Sequence, residues 1–224
     1  MVLLTIDALL WLGLHLGVAG TDLRYKITRR IGVTTYRGLF SLSSVAVMVF
    51  LCTSYAHSGT IVLWTAPDWL RWGLALVMLP AFVLFIASFR RNPTAPGGEK
   101  FLQGEVQGIQ RVTRHPMMVF FAIWAGVHMI GTGDLASLLF FGTFFLTAVI
   151  GMPSIDRKLS DRDDCAWAKL ERSTSIVPFG AILAGRNRFV AAEIGWVVPA
   201  IGAALWLAAL LFHRSIIGVA PVSF

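Results

Sequence analysis

Charged residues are scarce in this chain. Its 224 residues include 12 Asp and Glu and 19 Lys and Arg, 14% in all, against 56% hydrophobic residues and a mean hydropathy of +0.72. So little charge excludes an ordinary soluble domain and predicts an integral membrane protein, a single all-α unit over residues 1–224. Cysteine is nearly absent as well. Cys52 falls inside an apolar run and Cys165 in a charged segment, with no CxxC spacing, so neither a disulfide nor a thiolate metal site is expected. No basic stretch precedes the first apolar run, and Asp7 interrupts it, which predicts a retained span rather than a cleaved signal peptide. The net charge of +7 sits between apolar spans instead of on one face of a soluble fold, so nucleic acid is not the expected partner. The expected partner is the lipid bilayer.

Six apolar stretches are long enough to approach the 30 Å hydrocarbon core. They cover about 2–20, 39–55, 70–89, 117–130, 135–152 and 191–212. Pro80 should kink the third. Gly131, Gly133 and the immediate start of the fifth require a tight hairpin after the fourth, with Asp134 able to cap the fifth helix. Residues 21–38 and 90–114 read as basic loops. Between Ser154 and Phe189, Trp167 and Leu170 form an apolar stripe that predicts a short helix lying on the membrane surface.

The first, third and fifth loops hold 5, 5 and 7 of the 19 basic residues, leaving Arg71 and Arg214. Lys and Arg collect on cytoplasmic loops, so this alternation predicts a multi-pass bacterial inner-membrane protein with both termini in the periplasm. The stretch TRHPMMVFFAIWAGVHMIGTGD, Thr113 to Asp134, then places Arg114 and His115 at the cytoplasmic end of the fourth span and His128 near the other. His115 and His128 stand 13 residues apart, a rise of roughly 20 Å. Ionisable groups in or beside a span are functional candidates, and His15 in the first span is a third. The competing bland reading is a histidine resting at the headgroups, which is the expected role of His57 and His213.

The Thr113 stretch continues into LASLLFFGTFF and GMPSIDRKL. Together with YRGLFSLSS at Tyr36 to Ser44 and WAKLERSTSIVPFGAILAGRN at Trp167 to Asn187, it resembles the NnrU family of membrane proteins. Bacterial members are associated with denitrification and nitric oxide metabolism, so nitric oxide reductase or another denitrification component is the protein partner this resemblance implies. The family is also similar to plant 15-cis-zeta-carotene isomerase, a membrane enzyme that uses haem b held by histidines. That likeness implies haem b here, with His15 and His128 as axial ligands and His115 as an alternative or redox-linked partner. It also implies an apolar small-molecule substrate and a haem-dependent cis–trans isomerase. Haem propionates want Arg or Lys near water, and Arg37, Arg111, Arg114 and Arg24 are placed for that. Counting helical rises puts His15 deeper than His128 by roughly 10 Å, so tilt or a kink must help that pair.

Two rival expectations stand beside the isomerase. One is a non-enzymatic accessory protein for nitric oxide reductase. The other is a membrane methyltransferase, because isoprenylcysteine carboxyl methyltransferases also carry RHP before a hairpin and follow it with paired acids; Asp163 and Asp164 stand here where that family uses glutamates.

Overall fold

The computed structural model describes residues 1–95, 97–98, 101–161 and 164–223, with only the backbone of Asp164. The chain is helical. Helix α1 (Val2–Leu12) runs without a break into a π-helical segment, Gly13–Val18. Then come α2 (Leu23–Ile31), α3 (Val33–Ala56), α4 (Asp68–Ala87), a 3₁₀ turn (Gly108–Arg111), α5 (Pro116–Thr132) and α6 (Leu135–Ser160). Short helices α7 (Asp164–Ser173), α8 (Gly180–Leu183) and α9 (Ala191–Ile194) precede α10 (Val197–Ile217).

Four of these, α3, α4, α6 and α10, are long and apolar enough to cross a membrane. A fifth is added if Val2–Val18 and α2, bent by 79° to one another, count as one span. At 17 residues, α5 is apolar but shorter. Helix α4 continues as helix through Pro80, and α6 likewise contains Pro153.

The packing order follows the contacts: α3 lies on α1, α1 on α6, α6 on α5, α5 on α4 and α4 on α10. Polar groups pin neighbours at several depths. Ser54 donates to Asp7 at 2.5 Å, Trp11 Nε1 to Thr147 at 3.1 Å, and Ser154 to the Gly20 carbonyl at 2.8 Å. Between α4 and α10 the backbones meet at Gly202, where a Cβ would fall 2.8 Å from the Val83 Cα.

Local chemistry builds the α5–α6 hairpin. Pro116 occupies the first turn of α5, where its missing N–H costs nothing. Gly133 ends the helix at φ +67, and Asp134 caps α6 by accepting the Ser137 amide at 2.9 Å. The extended segment before α4 closes over this turn. Leu63 and Trp64 donate their amides to the Gly133 carbonyl, and a Cβ on Gly133 would lie 2.2 Å from the Trp64 oxygen.

Three expectations change. Much of the first basic loop is helical, with Leu23, Ile27 and Ile31 recurring every fourth residue along one face of α2. The last span begins at Val197 rather than 191, since Gly195 (φ +71) separates α9 from α10. The stripe of α7 faces protein rather than lipid: Trp167 and Leu170 are buried against Leu102 and Leu159.

Candidate functional site

At the basic end of the bundle, α5 starts directly above an acid on α6. Asp156 Oδ2 accepts from Arg114 Nε at 3.0 Å and Nη2 at 2.6 Å, and Oδ1 lies 2.6 Å from His115 Nε2. All three residues are buried, His115 completely. The His115 Nδ1 has no partner among the described residues. Arg114 also sits over the Trp167 ring, 5.6 Å from its centroid.

The chain around this cluster is held by the segment after α7. The Arg114 amide donates to the Ser175 carbonyl, Thr113 Oγ1 to Ile176 at 2.8 Å, and Thr94 Oγ1 to the Arg114 carbonyl at 2.8 Å. An open cleft of about 410 Å³ runs along Arg114, Asp156, Trp167 and Glu171. Asp163 and the Asp164 side chain lie outside the described residues.

Arg111 is engaged elsewhere. Its guanidinium forks onto Glu193 at 2.7 and 2.8 Å and donates to Asn187 at 2.7 Å. That fork and the Gly108 amide at 2.6 Å hold the Glu193 carboxyl down to about 2, and Glu193 in turn raises the Arg111 guanidinium. Arg37 is exposed near the start of α3, and Arg24 lies 6.0 Å over the Tyr36 ring.

His15 rides on the π-helical segment. Its Nδ1 is 3.1 Å from the Trp11 carbonyl, and its ring stacks on Trp11 with centroids 3.9 Å apart. Such segments are frequent at functional sites. His128 is anchored in the same way, with Nδ1 2.7 Å from the Trp124 carbonyl and its ring stacked on Phe141 at 4.6 Å. A carbonyl only accepts, so each Nδ1 carries the proton and, in the neutral ring, each Nε2 keeps a lone pair.

Each histidine taken alone suits a metal, since a held Nδ1–H is the usual support of an Nε2 ligand. As a pair they do not fit one iron. Trp11 meets α6 at Thr147, whereas His128 meets it at Phe141, six residues or about 9 Å outward along the axis. The His15 ring stacks on Trp11 only 3.9 Å away, so the His15 and His128 imidazoles stand at different depths, on the order of 10 Å apart along the bundle, with Trp11, Phe144 and Trp124 in ring contact between them. His115 is at the far end of α5 from His128.

Two residues passed over in the sequence belong to these sites. Asp156 sits inside the GMPSIDRKL stretch, where an isolated acid after an apolar run was the available signal. His213, expected at the interface and half-buried near the end of α10, lies beside His128, with ring centroids 6.2 Å apart and planes 26° from parallel. Among the described residues no three His, Cys, Asp or Glu side chains group as metal ligands.

Comparison with known proteins agrees with this membrane architecture. Residues 3–221 match the family model described as NnrU protein. The chain is 29% identical over 196 residues to a chloroplastic 15-cis-zeta-carotene isomerase of Zea mays, covering 84% of this chain and 51% of that one. It is 31% identical over 80 residues to the enzyme of the same name in Arabidopsis thaliana, covering 36% and 22%. The chain thus spans about half the length of the maize relative and less of the other. No solved structure matches it.

Proposed function

Because the chain belongs to the NnrU family, we propose that it is a membrane-embedded cis–trans isomerase of an apolar, double-bonded substrate, with haem b as its cofactor. The observation that carries the reading is the likeness to 15-cis-zeta-carotene isomerase over 84% of the chain. The surroundings of His128 support it: an imidazole with a protonated Nδ1 lies among Trp124 and Phe141 inside an otherwise apolar helix. An apolar polyene partitions into the bilayer and reaches such a wall without crossing water. His128 is the first ligand of the haem in this reading, and a bound haem supplies one-electron exchange that weakens a double bond against rotation. The aromatic rings hold the substrate chain and exclude water, and the buried cluster of Arg114, Asp156 and His115 fixes the inner end of α5, on which His128 is carried. The alternation of basic residues supports a further part of this reading, a bacterial inner-membrane protein with both termini periplasmic.

The test is direct. Purified protein in lipid nanodiscs is incubated with 15-cis-zeta-carotene, and the isomers are separated by chromatography. Loss of the 15-cis form at unchanged mass is expected. No conversion by folded, haem-loaded protein would overturn the isomerase reading.

A further inference from the structure

We propose that α2 lies along the membrane surface and binds the headgroups of anionic phospholipids, a role that needs neither haem nor substrate. Its orientation follows from its neighbours. The apolar stretch Val2–Val18 rises roughly 25 Å, and the chain then turns by 79° into α2. Gly32, at φ +82, turns it again into α3, which is long and apolar enough to cross the bilayer and packs back on α1. A nine-residue helix set nearly at right angles to one span, and joined at its other end to the next, runs along the surface from which both emerge. The elbow is fixed. Ser154 and Lys158 of α6 donate to the Gly20 and Ala19 carbonyls. Thr21 Oγ1 donates to the Gly17 carbonyl and accepts the Leu23 amide, and a Cβ on Gly20 would run into the Leu16 carbonyl.

The faces of α2 suit that level of the bilayer. At 3.6 residues per turn, Leu23, Ile27 and Ile31 fall within an arc of about 80°, with Arg24 bordering it on one side and Arg30 on the other. Leu23 and Ile31 are exposed, so protein leaves both ends of the apolar stripe uncovered. An apolar stripe flanked by arginines, whose stems lie along apolar surface while their heads stay in water, is the pattern of a helix lying in the interface. The cations also lack acids of their own. No acidic residue occurs from Leu23 to Pro67. Among the described residues Lys26, Arg29, Arg30 and Arg37 are exposed and form no ion pair, while Arg24 lies over the Tyr36 ring and ties α2 to α3. Elsewhere Arg71, Arg111, Arg114 and Arg186 are each taken up by protein carbonyls or carboxylates. The unpaired charges of α2 and Arg37 therefore match an anion from outside the chain, and beside an apolar stripe that anion is the phosphate of a lipid headgroup.

The test uses the full chain in nanodiscs of phosphatidylcholine containing a minor share of phosphatidylglycerol. With Cys52 and Cys165 replaced by Ser, nitroxide labels are attached singly at Leu23→Cys, Ile31→Cys, Lys26→Cys and Arg29→Cys. The first two should be relaxed by oxygen dissolved in the bilayer, and the last two by a water-soluble nickel chelate. The same response at all four positions would overturn the in-plane orientation. Spin-labelled phosphatidylglycerol should be enriched at the unlabelled wild-type protein over phosphatidylcholine. Arg29→Gln with Arg30→Gln should cut that enrichment at least about fivefold, the effect of one cation near an anionic surface. Arg172→Gln with Arg188→Gln should leave it unchanged, because those charges stand close to Glu171 and Glu193. Equal enrichment in the two double variants would overturn headgroup binding by α2. Displacement of the lipid by inorganic phosphate, beyond that by chloride at equal ionic strength, would reveal a site for free phosphate and overturn the lipid assignment.

Discussion

Replacing Asp156 with Asn keeps the size of the side chain and removes its charge, at the point where α5, α6 and α7 meet. The native carboxylate accepts three hydrogen bonds at 2.6 to 3.0 Å from Arg114 and His115, with side-chain exposures of 8% for Arg114, 11% for Asp156 and 0% for His115. An amide accepts through one atom only and would turn its NH₂ toward a donor. The guanidinium is then left buried without a counter-charge, a loss of about 3–5 kcal/mol in comparable buried pairs. The cost belongs to the orphaned partner more than to the pair. A double replacement, Arg114→Met with Asp156→Leu, should therefore recover part of it, the remainder being the cost of leaving the buried His115 Nε2 without its acceptor. Reversible unfolding of the purified protein in mixed detergent micelles measures both variants. A loss below about 1 kcal/mol in Asp156→Asn would place this cluster among solvated surface pairs and refute the reasoning.

Arg114→Lys should also be destabilised, by about 1–2 kcal/mol, because a point charge cannot reproduce the Nε and Nη2 contacts to Asp156; unaltered unfolding would make the arginine merely topological. Gly202→Leu should loosen α10 from α4, since even its Cβ would approach the Val83 Cα at 2.8 Å, with a cost of about 1–3 kcal/mol that the same unfolding measurement reads. Glu193 falls from an ordinary value of 4.5 to about 2 through its bonds to Arg111 and Gly108. Its contribution is therefore fully present above pH 4.5 and lost as pH falls toward 2; Glu193→Gln should flatten that part of the stability profile. Reporter fusions after Phe224 and at Thr94 should report opposite sides of the membrane, and finding both on one side would contradict the proposed topology.

The hairpin was legible because its signals are local: Pro116 opens α5, Gly133 stops it and Asp134 caps α6. Hydropathy located the apolar helices for the same reason, since each carries its own pattern. What failed to show were features whose partners arrive from far along the chain. Asp156 acquires its meaning 42 positions after Arg114. Trp167 and Leu170 read as a membrane-facing stripe because Leu102, which covers them together with the nearby Leu159, is remote in sequence. The neighbourhood of His213 and His128 likewise joins residues from α5 and α10 that are distant in the chain. Helical counting did register the depth mismatch between His15 and His128. Tilt does not remove it, because the contacts of Trp11 and His128 with α6 fix both levels.

The measurement that bears most directly on the proposed function is the haem content of the wild-type protein, purified without loss of the bilayer lipids from haem-replete cells and quantified against protein concentration. One haem per chain is the predicted result. A folded protein that carries none and takes up none on titration would contradict it.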